Sequence, residues 1–179
     1  MILPLLLLAL LPLVDAPTWH NHRQRVRRSA HDRSTALEIT VLGGLGVLAA
    51  LLVMPFVYGD TPRLAGVAIA LLGGALRFWS IRTLGRFFTL TLQVNQAQPV
   101  IRAGPYRYVR HPSYLGGELA LLGIGLTCGN WLSAMLMVTP MLIAHLRRIR
   151  VEEAMMHAAM GARWVDYTRS TARLLPFVY

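Results

Sequence analysis

The sequence contains no lysine and a single cysteine, and only 15% of its residues are charged. The lone thiol, Cys128, excludes an internal disulfide and any multi-cysteine metal site. The scarcity of charge excludes an ordinary soluble domain, in which about a quarter of the residues are charged. No GxGxxG follows a strand pattern, so a Rossmann cofactor site has no basis. No Ser-His-Asp or Cys-His arrangement stands out, and the chain has no internal repeat.

What the chain has is apolar length. It is 55% hydrophobic over 179 residues, enough for one domain. Its formal charge is +10, and arginine supplies every fixed positive side chain. A basic excess can signal nucleic acid, but here the basic and aromatic residues lie between lipid-length segments. That placement favours a membrane and sets nucleic acid aside as a partner.

The clearest span is 36–58, "ALEITVLGGLGVLAALLVMPFVY", apolar except for Glu38 and long enough to cross roughly 30 Å of hydrocarbon. The turn Gly59-Asp60-Thr61-Pro62 follows, then a second span over 64–84 with Arg77 inside it. Segments 113–127 and 131–146 flank the breaker "CGN" and read as a tight helical hairpin, short for the bilayer unless it thins locally. The opening "MILPLLLLALLPLV" has the length of a signal-peptide core but no positive region before it, and Pro17 spoils a cut after "VDA". A short first span is therefore preferred to a cleaved signal.

Arginine counts orient the bundle. Five fall in 15–35, five in or beside 82–112 and six after the last span, whereas the opposite turns hold only Arg63. By the positive-inside rule, those two loops and the C-terminal tail are cytoplasmic. The expectation is an all-α, polytopic membrane bundle of about five transmembrane segments, with an active site on the cytoplasmic side.

Two polar constellations lie on that side. The first is "GPYRYVRHPSY", 104–114. Gly104-Pro105 signals a turn, and Pro112 suits the first turn of a helix with His111 near its N-cap. The N–H groups of Ser113, Tyr114 and Leu115 are expected to point back at the loop and draw an anion. Gly116 and Gly117 admit a close backbone or a ligand. Tyr106, Tyr108, Arg107 and Arg110 by themselves read as an interfacial anchor, whereas His111-Pro112 beside two glycines reads as a ligand site.

The second is "HLRRIRVEEAMMHAAMGARWVDY", 145–167. His145, Arg148 and Glu152 share one helical face, and Arg148 and Glu152 can pair at i, i+4. The helix should end at Gly161, and a short amphipathic helix with Trp164, Tyr167 and, beyond it, Leu174 as apolar anchors should follow. Arg147, Arg150 and Arg163 read as headgroup contacts. Glu152 and Glu153 need a cation, from Arg148 or from a ligand. Arg77 is either functional or a snorkelling side chain, and Glu118 is expected to find a partner such as Arg77. Most methionines read as packing, and His20, His22 and His31 lack metal-ligand spacing.

"LGRFFT" at 84–89, "GPYRYVRHPSYLG" at 104–116, the glycine-broken hairpin and "RIRVEEAMMHAAMGARWVDYTRSTARLLP" at 148–176 together resemble the isoprenylcysteine carboxyl methyltransferase family. The resemblance covers roughly 64–179. It implies a membrane enzyme that moves a methyl group from S-adenosylmethionine to a lipophilic acceptor, a carboxylate in the isoprenylcysteine type. By the same resemblance His111, Pro112, Ser113, Tyr114 and Tyr106 hold the cofactor, Glu152 meets it and Arg148 faces the acceptor. Gln93 is similar to a cofactor-contacting glutamine, and Val100 and Ile101 match an apolar pair lining the site. Gln98 stands where the family usually has a histidine. The resemblance divides the chain into a short hydrophobic segment with a basic loop, 1–35, and a methyltransferase domain, 36–179, whose catalytic part is 84–179. The implied partners are the bilayer and the lipophilic acceptor, with no metal. The competing functions are a phospholipid-type amine N-methyltransferase, a sterol-reductase-like NADPH enzyme and a non-enzymatic membrane-anchored protein. The acceptor stays open between a prenylated protein and a small lipophilic acid.

Overall fold

The computed structural model describes residues 2–15, 30–57, 59–88 and 99–176, with backbone only over 30–33. Gln93 and Gln98 lie outside the described residues. The described part is helical: α1 (Ile2–Val14), α2 (Ala30–Val53), α3 (Arg63–Leu84), α4 (Pro112–Thr127), α5 (Trp131–Met160) and α6 (Ala162–Arg169). Short 3-10 turns occupy Gly85–Phe87 and Gly104–Arg107.

Three helices are long and apolar enough to cross a bilayer, within Ser34–Val53, Arg63–Phe87 and Trp131–Met160. α1 and α4 are shorter, with 13 and 16 residues. The bundle is built around α4. It packs against α3 on one side and α5 on the other, and α2 runs antiparallel to α5. Eleven of the sixteen α4 residues are buried, Gly116, Ala120, Leu121, Gly123 and Ile124 among them. A helix with so little polar surface is stable inside such a bundle or across a bilayer.

Small residues set the α3–α4 distance. Gly66, Ala70 and Gly73 on α3 face Gly123, Ala120 and Gly116 on α4 in antiparallel order. A methyl carbon at Gly116 would lie 2.6 Å from the backbone nitrogen of Arg77, and one at Gly66 2.8 Å from the Gly123 carbonyl oxygen. This is backbone-to-backbone packing, the device by which helices associate in lipid, where burial of apolar surface gives no drive.

α5 starts cleanly, because Asn130 Oδ1 accepts the Ser133 N–H at 2.7 Å. At 30 residues it is about 45 Å long, some 15 Å more than the hydrocarbon needs. Its polar last third therefore stands beyond the apolar bundle. The helix ends at Gly161, with a φ of 55°, as its sequence predicts. The hairpin 113–127/131–146 is also present, its second arm continuing without a break to Met160.

Candidate functional site

The end of α1, the start of α2, the end of α3, the start of α4 and the last third of α5 meet at one end of the bundle. The tail closes over them. A parallel bridge joins Val109 to Ala172: Arg110 N–H donates to the Ala172 carbonyl at 2.9 Å and His111 N–H to that of Arg173 at 3.2 Å. The tail thus fixes the turn that delivers His111 to the start of α4.

Tyr114 is the hub. Its hydroxyl donates to Glu152 Oε1 at 2.5 Å and accepts from Arg148 Nε at 3.1 Å. Arg148 Nε also reaches Glu152 Oε1 at 3.2 Å, the i, i+4 pair expected from the spacing. The Tyr114 ring packs between the imidazoles of His111 and His145, with ring centroids 5.8 and 4.6 Å away. All three residues of the predicted α5 face, His145, Arg148 and Glu152, therefore converge on one tyrosine of α4. His111 Nδ1 lies 3.5 Å from Glu152 Oε2, so both predicted constellations form one site.

The adjacent carboxylates have different duties. Glu153 is held by Arg110 Nε at 2.8 Å, Arg173 Nε at 2.9 Å and His111 Nε2 at 3.3 Å. Arg110 also donates to the carbonyls of Thr168 and Thr171. Glu153 thus ties α5, the turn before α4 and the tail together. Glu152, with 19% of its side chain exposed against 13% for Glu153, is the more open of the two.

Tyr106 is buried, and the Tyr167 hydroxyl donates to its carbonyl at 2.7 Å. Burial, with Tyr167 and Glu152 nearby, pushes its phenol well above the usual range. Burial likewise raises Tyr167, to about 12, against the pull of Arg110 and Arg102. Both are neutral hydrogen-bonding groups at ordinary pH. Pro112 and Ser113 are buried at the start of α4. Val100 packs on the Met160–Trp164–Tyr167 cluster, and Ile101 is half-buried beside it in sequence.

Three expectations are corrected. Arg110 is not an interfacial anchor: its side chain is 9% exposed and is consumed by Glu153 and two carbonyls. Tyr106 is buried as well, whereas Tyr108 and Arg107 are exposed and fit the anchor reading. The N–H groups of Tyr114 and Leu115 are not free for an anion, because the His111 carbonyl accepts both at 3.2 Å. Glu118 pairs with His145 Nδ1 at 2.7 Å instead of Arg77. Arg77 binds Asp15 and the Ser113 carbonyl.

Sequence reasoning missed Thr35, which meets Arg148 Nη1 at 3.3 Å, and the Arg110–Glu153–Arg173 cluster. Neither has a local signature, since the partners are separated by 113 and 43 residues for Thr35–Arg148 and Arg110–Glu153. Among the described residues no group of His, Cys, Asp and Glu could hold a metal ion.

The family described as isoprenylcysteine carboxyl methyltransferase (ICMT) matches residues 66–158. Protein-S-isoprenylcysteine O-methyltransferase A of Arabidopsis thaliana is 30% identical over 115 residues, 63% of this chain and 58% of that protein. The Saccharomyces cerevisiae protein-S-isoprenylcysteine O-methyltransferase is 27% identical over 115 residues, 63% of this chain and 48% of that one. The chain thus spans about half the length of these relatives. A solved structure of the eukaryotic intramembrane Ras methyltransferase ICMT shares the fold, with a TM-score of 0.56 and 21% identity over 86% of this chain and 55% of that one.

Proposed function

The chain belongs to the isoprenylcysteine carboxyl methyltransferase family, and from that membership we propose that it is an integral membrane methyltransferase carrying a methyl group from S-adenosylmethionine to a carboxylate on a lipophilic acceptor. The observation that carries the reading is the junction of Arg148, Glu152 and Tyr114 where the apolar bundle ends. A guanidinium and a carboxylate on one helix face, at the edge of lipid, suit a water-soluble donor and a membrane-dissolved acceptor.

The residues fit S-adenosylmethionine. Glu152 offers a partly open carboxylate for a cationic group. Tyr106, Pro112 and Ser113 are buried, and by the family resemblance they line the cofactor together with Tyr114, Val100 and Ile101. His111 braces Glu152 from the other side. By the family resemblance Gln93 and Gln98 contribute contacts, and Gln98 hydrogen-bonds without the charge a histidine could carry.

When bound, S-adenosylmethionine supplies an electrophilic methyl group on a positively charged sulfur. Arg148 faces the acceptor carboxylate and orients one oxygen for in-line attack. An ionised carboxylate has no proton to shed, so no general base is required. The contribution of the chain is alignment and exclusion of water, worth on the order of 7–11 kcal/mol of barrier. The arginine-rich loops at this end favour a cytoplasmic site, with the catalytic part at 84–179 and the acceptor entering from the bilayer.

The test is binding of labelled S-adenosylmethionine, and of NADPH, to detergent-purified protein, repeated with His111→Ala and Glu152→Ala. Saturable sulfonium-donor binding that both changes weaken supports the proposal; absence of binding by folded protein rejects it. Turnover with lipophilic acids against amines then separates O-methylation from N-methylation, and alkaline hydrolysis releases the label only from an ester.

A further inference from the structure

α1 lies outside the segment matched by the family, yet its end reaches the site. Asp15, the residue after α1, grips Arg77 of α3 with both oxygens: Nε donates to Oδ1 at 2.7 Å and Nη2 to Oδ2 at 3.0 Å. The third arm of the fork, Nη1, donates to the Ser113 carbonyl at 3.2 Å. Ser113 is the second residue of α4, between His111 and Tyr114. Gly116 makes room for this arrangement, since a methyl carbon there would lie 2.6 Å from the Arg77 backbone nitrogen.

A planar guanidinium bound at two nitrogens by one carboxylate has its orientation fixed. Without that carboxylate the long stem is free to turn toward headgroups, as arginines near helix ends do. Asp15 therefore sets the direction in which Nη1 points, and Nη1 clamps the first turn of α4. That turn carries His111 against Glu152 and Tyr114 against Arg148 and Glu152. The clasp is moderately sheltered, with 17% of the Arg77 and 29% of the Asp15 side chain exposed.

We propose that Asp15 and Arg77 are positioning residues for the donor half of the site, making the first helix a working part of the enzyme. The inference rests on the proposed methyltransferase reading. It deepens it by extending the site to an element outside the family segment, and it requires residues 1–15 to be retained in the working protein.

The experiment measures the Kd of S-adenosylmethionine, and separately the KM of an S-isoprenylated cysteine acid as acceptor, for the 179-residue protein in lipid nanodiscs. Arg77→Ala and Asp15→Ala each raise the donor Kd by about tenfold, and Asp15→Glu restores it to within about twofold. In the Arg77→Ala background, Asp15→Ala adds nothing, because its effect passes through Arg77. The acceptor KM stays nearly constant, and Arg147→Ala, which removes an exposed arginine paired with Glu38 at 3.5 Å, leaves the donor Kd unchanged. Donor affinities unaffected by the Asp15 substitutions, or additive losses in the double variant, overturn the inference. Should Arg77→Ala fail to fold, the contrast between Asp15→Asn and Asp15→Glu decides in its place: weakening by the first alone supports the inference, and equal affinities reject it. Failure of the unaltered protein to bind the donor sinks the functional reading itself; normal binding with indifferent Asp15 variants sinks only this one.

Discussion

The Tyr114 hydroxyl sits 2.5 Å from Glu152 Oε1, although 38 residues separate them in the chain. One residue belongs to the first turn of α4 and the other to the part of α5 that outruns the membrane. Their contact joins the two polar constellations, and Arg148 closes the triangle at 3.1 and 3.2 Å.

Tyr114→Phe tests that junction without altering the ring that packs on His111 and His145. It deletes two hydrogen bonds to charged groups, each worth about 1.5–3 kcal/mol. Activity is expected to fall by about 10- to 100-fold, and the melting temperature falls with it because both bonds are sheltered. Steady-state kinetics and a thermal melt on the same preparation check it.

Glu152 and Glu153 should separate function from stability. Glu152→Gln is expected to weaken donor binding in a folded protein. Arg110→Ala takes one of three partners from Glu153 and leaves two tail carbonyls without their donor, at a cost of about 1–3 kcal/mol. The second change lowers the melting temperature and exposes 171–174 to limited proteolysis; the first does neither.

The α3–α4 seam has no spare room. Gly116→Ala places its methyl group against the Arg77 backbone, which cannot rotate away as a side chain could. Overpacking of this kind costs about 1–3 kcal/mol. Gly44→Ala, within α2, meets nothing within 4 Å and has no positive φ to strain, so it should be milder. Melting in detergent ranks the two.

Tyr167 gives the fold an alkaline limit. Burial raises its pKa to about 12 from 10.0, so the folded state favours the protonated form. The stability that this provides is fully present below about pH 10 and is lost as pH rises through about 12. Ionisation also removes the O–H that donates to the Tyr106 carbonyl. Tyr167→Phe is expected to flatten the fall of melting temperature between pH 10 and 12 while lowering the plateau at neutral pH.

Orientation can be read with one introduced thiol. The native Cys128 is buried at the far end of the bundle and should not react. Ser170→Cys, on the exposed tail, should label with an impermeant maleimide only from the cytoplasmic side. Labelling from the other side would reverse the proposed topology.

The pattern of apolar runs, glycines and prolines made the helices legible in advance. The hairpin, the stop at Gly161 and the shared face of His145, Arg148 and Glu152 all follow from local spacing, because helix periodicity is a short-range property. The small-residue stripes of α3 and α4 were also written in the sequence, but only the pairing of the two helices gives them meaning. Arg110 and Glu118 mark the limit. A sequence tells that an arginine beside tyrosines needs an anionic or interfacial setting, and that a carboxylate in a span needs a partner.

The sequence by itself determined an all-helical membrane chain, the end of the bundle that gathers arginine, and the residues around which a site would form. Tertiary structure alone decided the partners: Glu153 for Arg110, His145 for Glu118, Asp15 for Arg77 and Thr35 for Arg148. The reason is that a buried charge takes whichever complementary group packing brings within hydrogen-bond reach, and that distance is fixed by how helices cross, not by how residues are spaced along them.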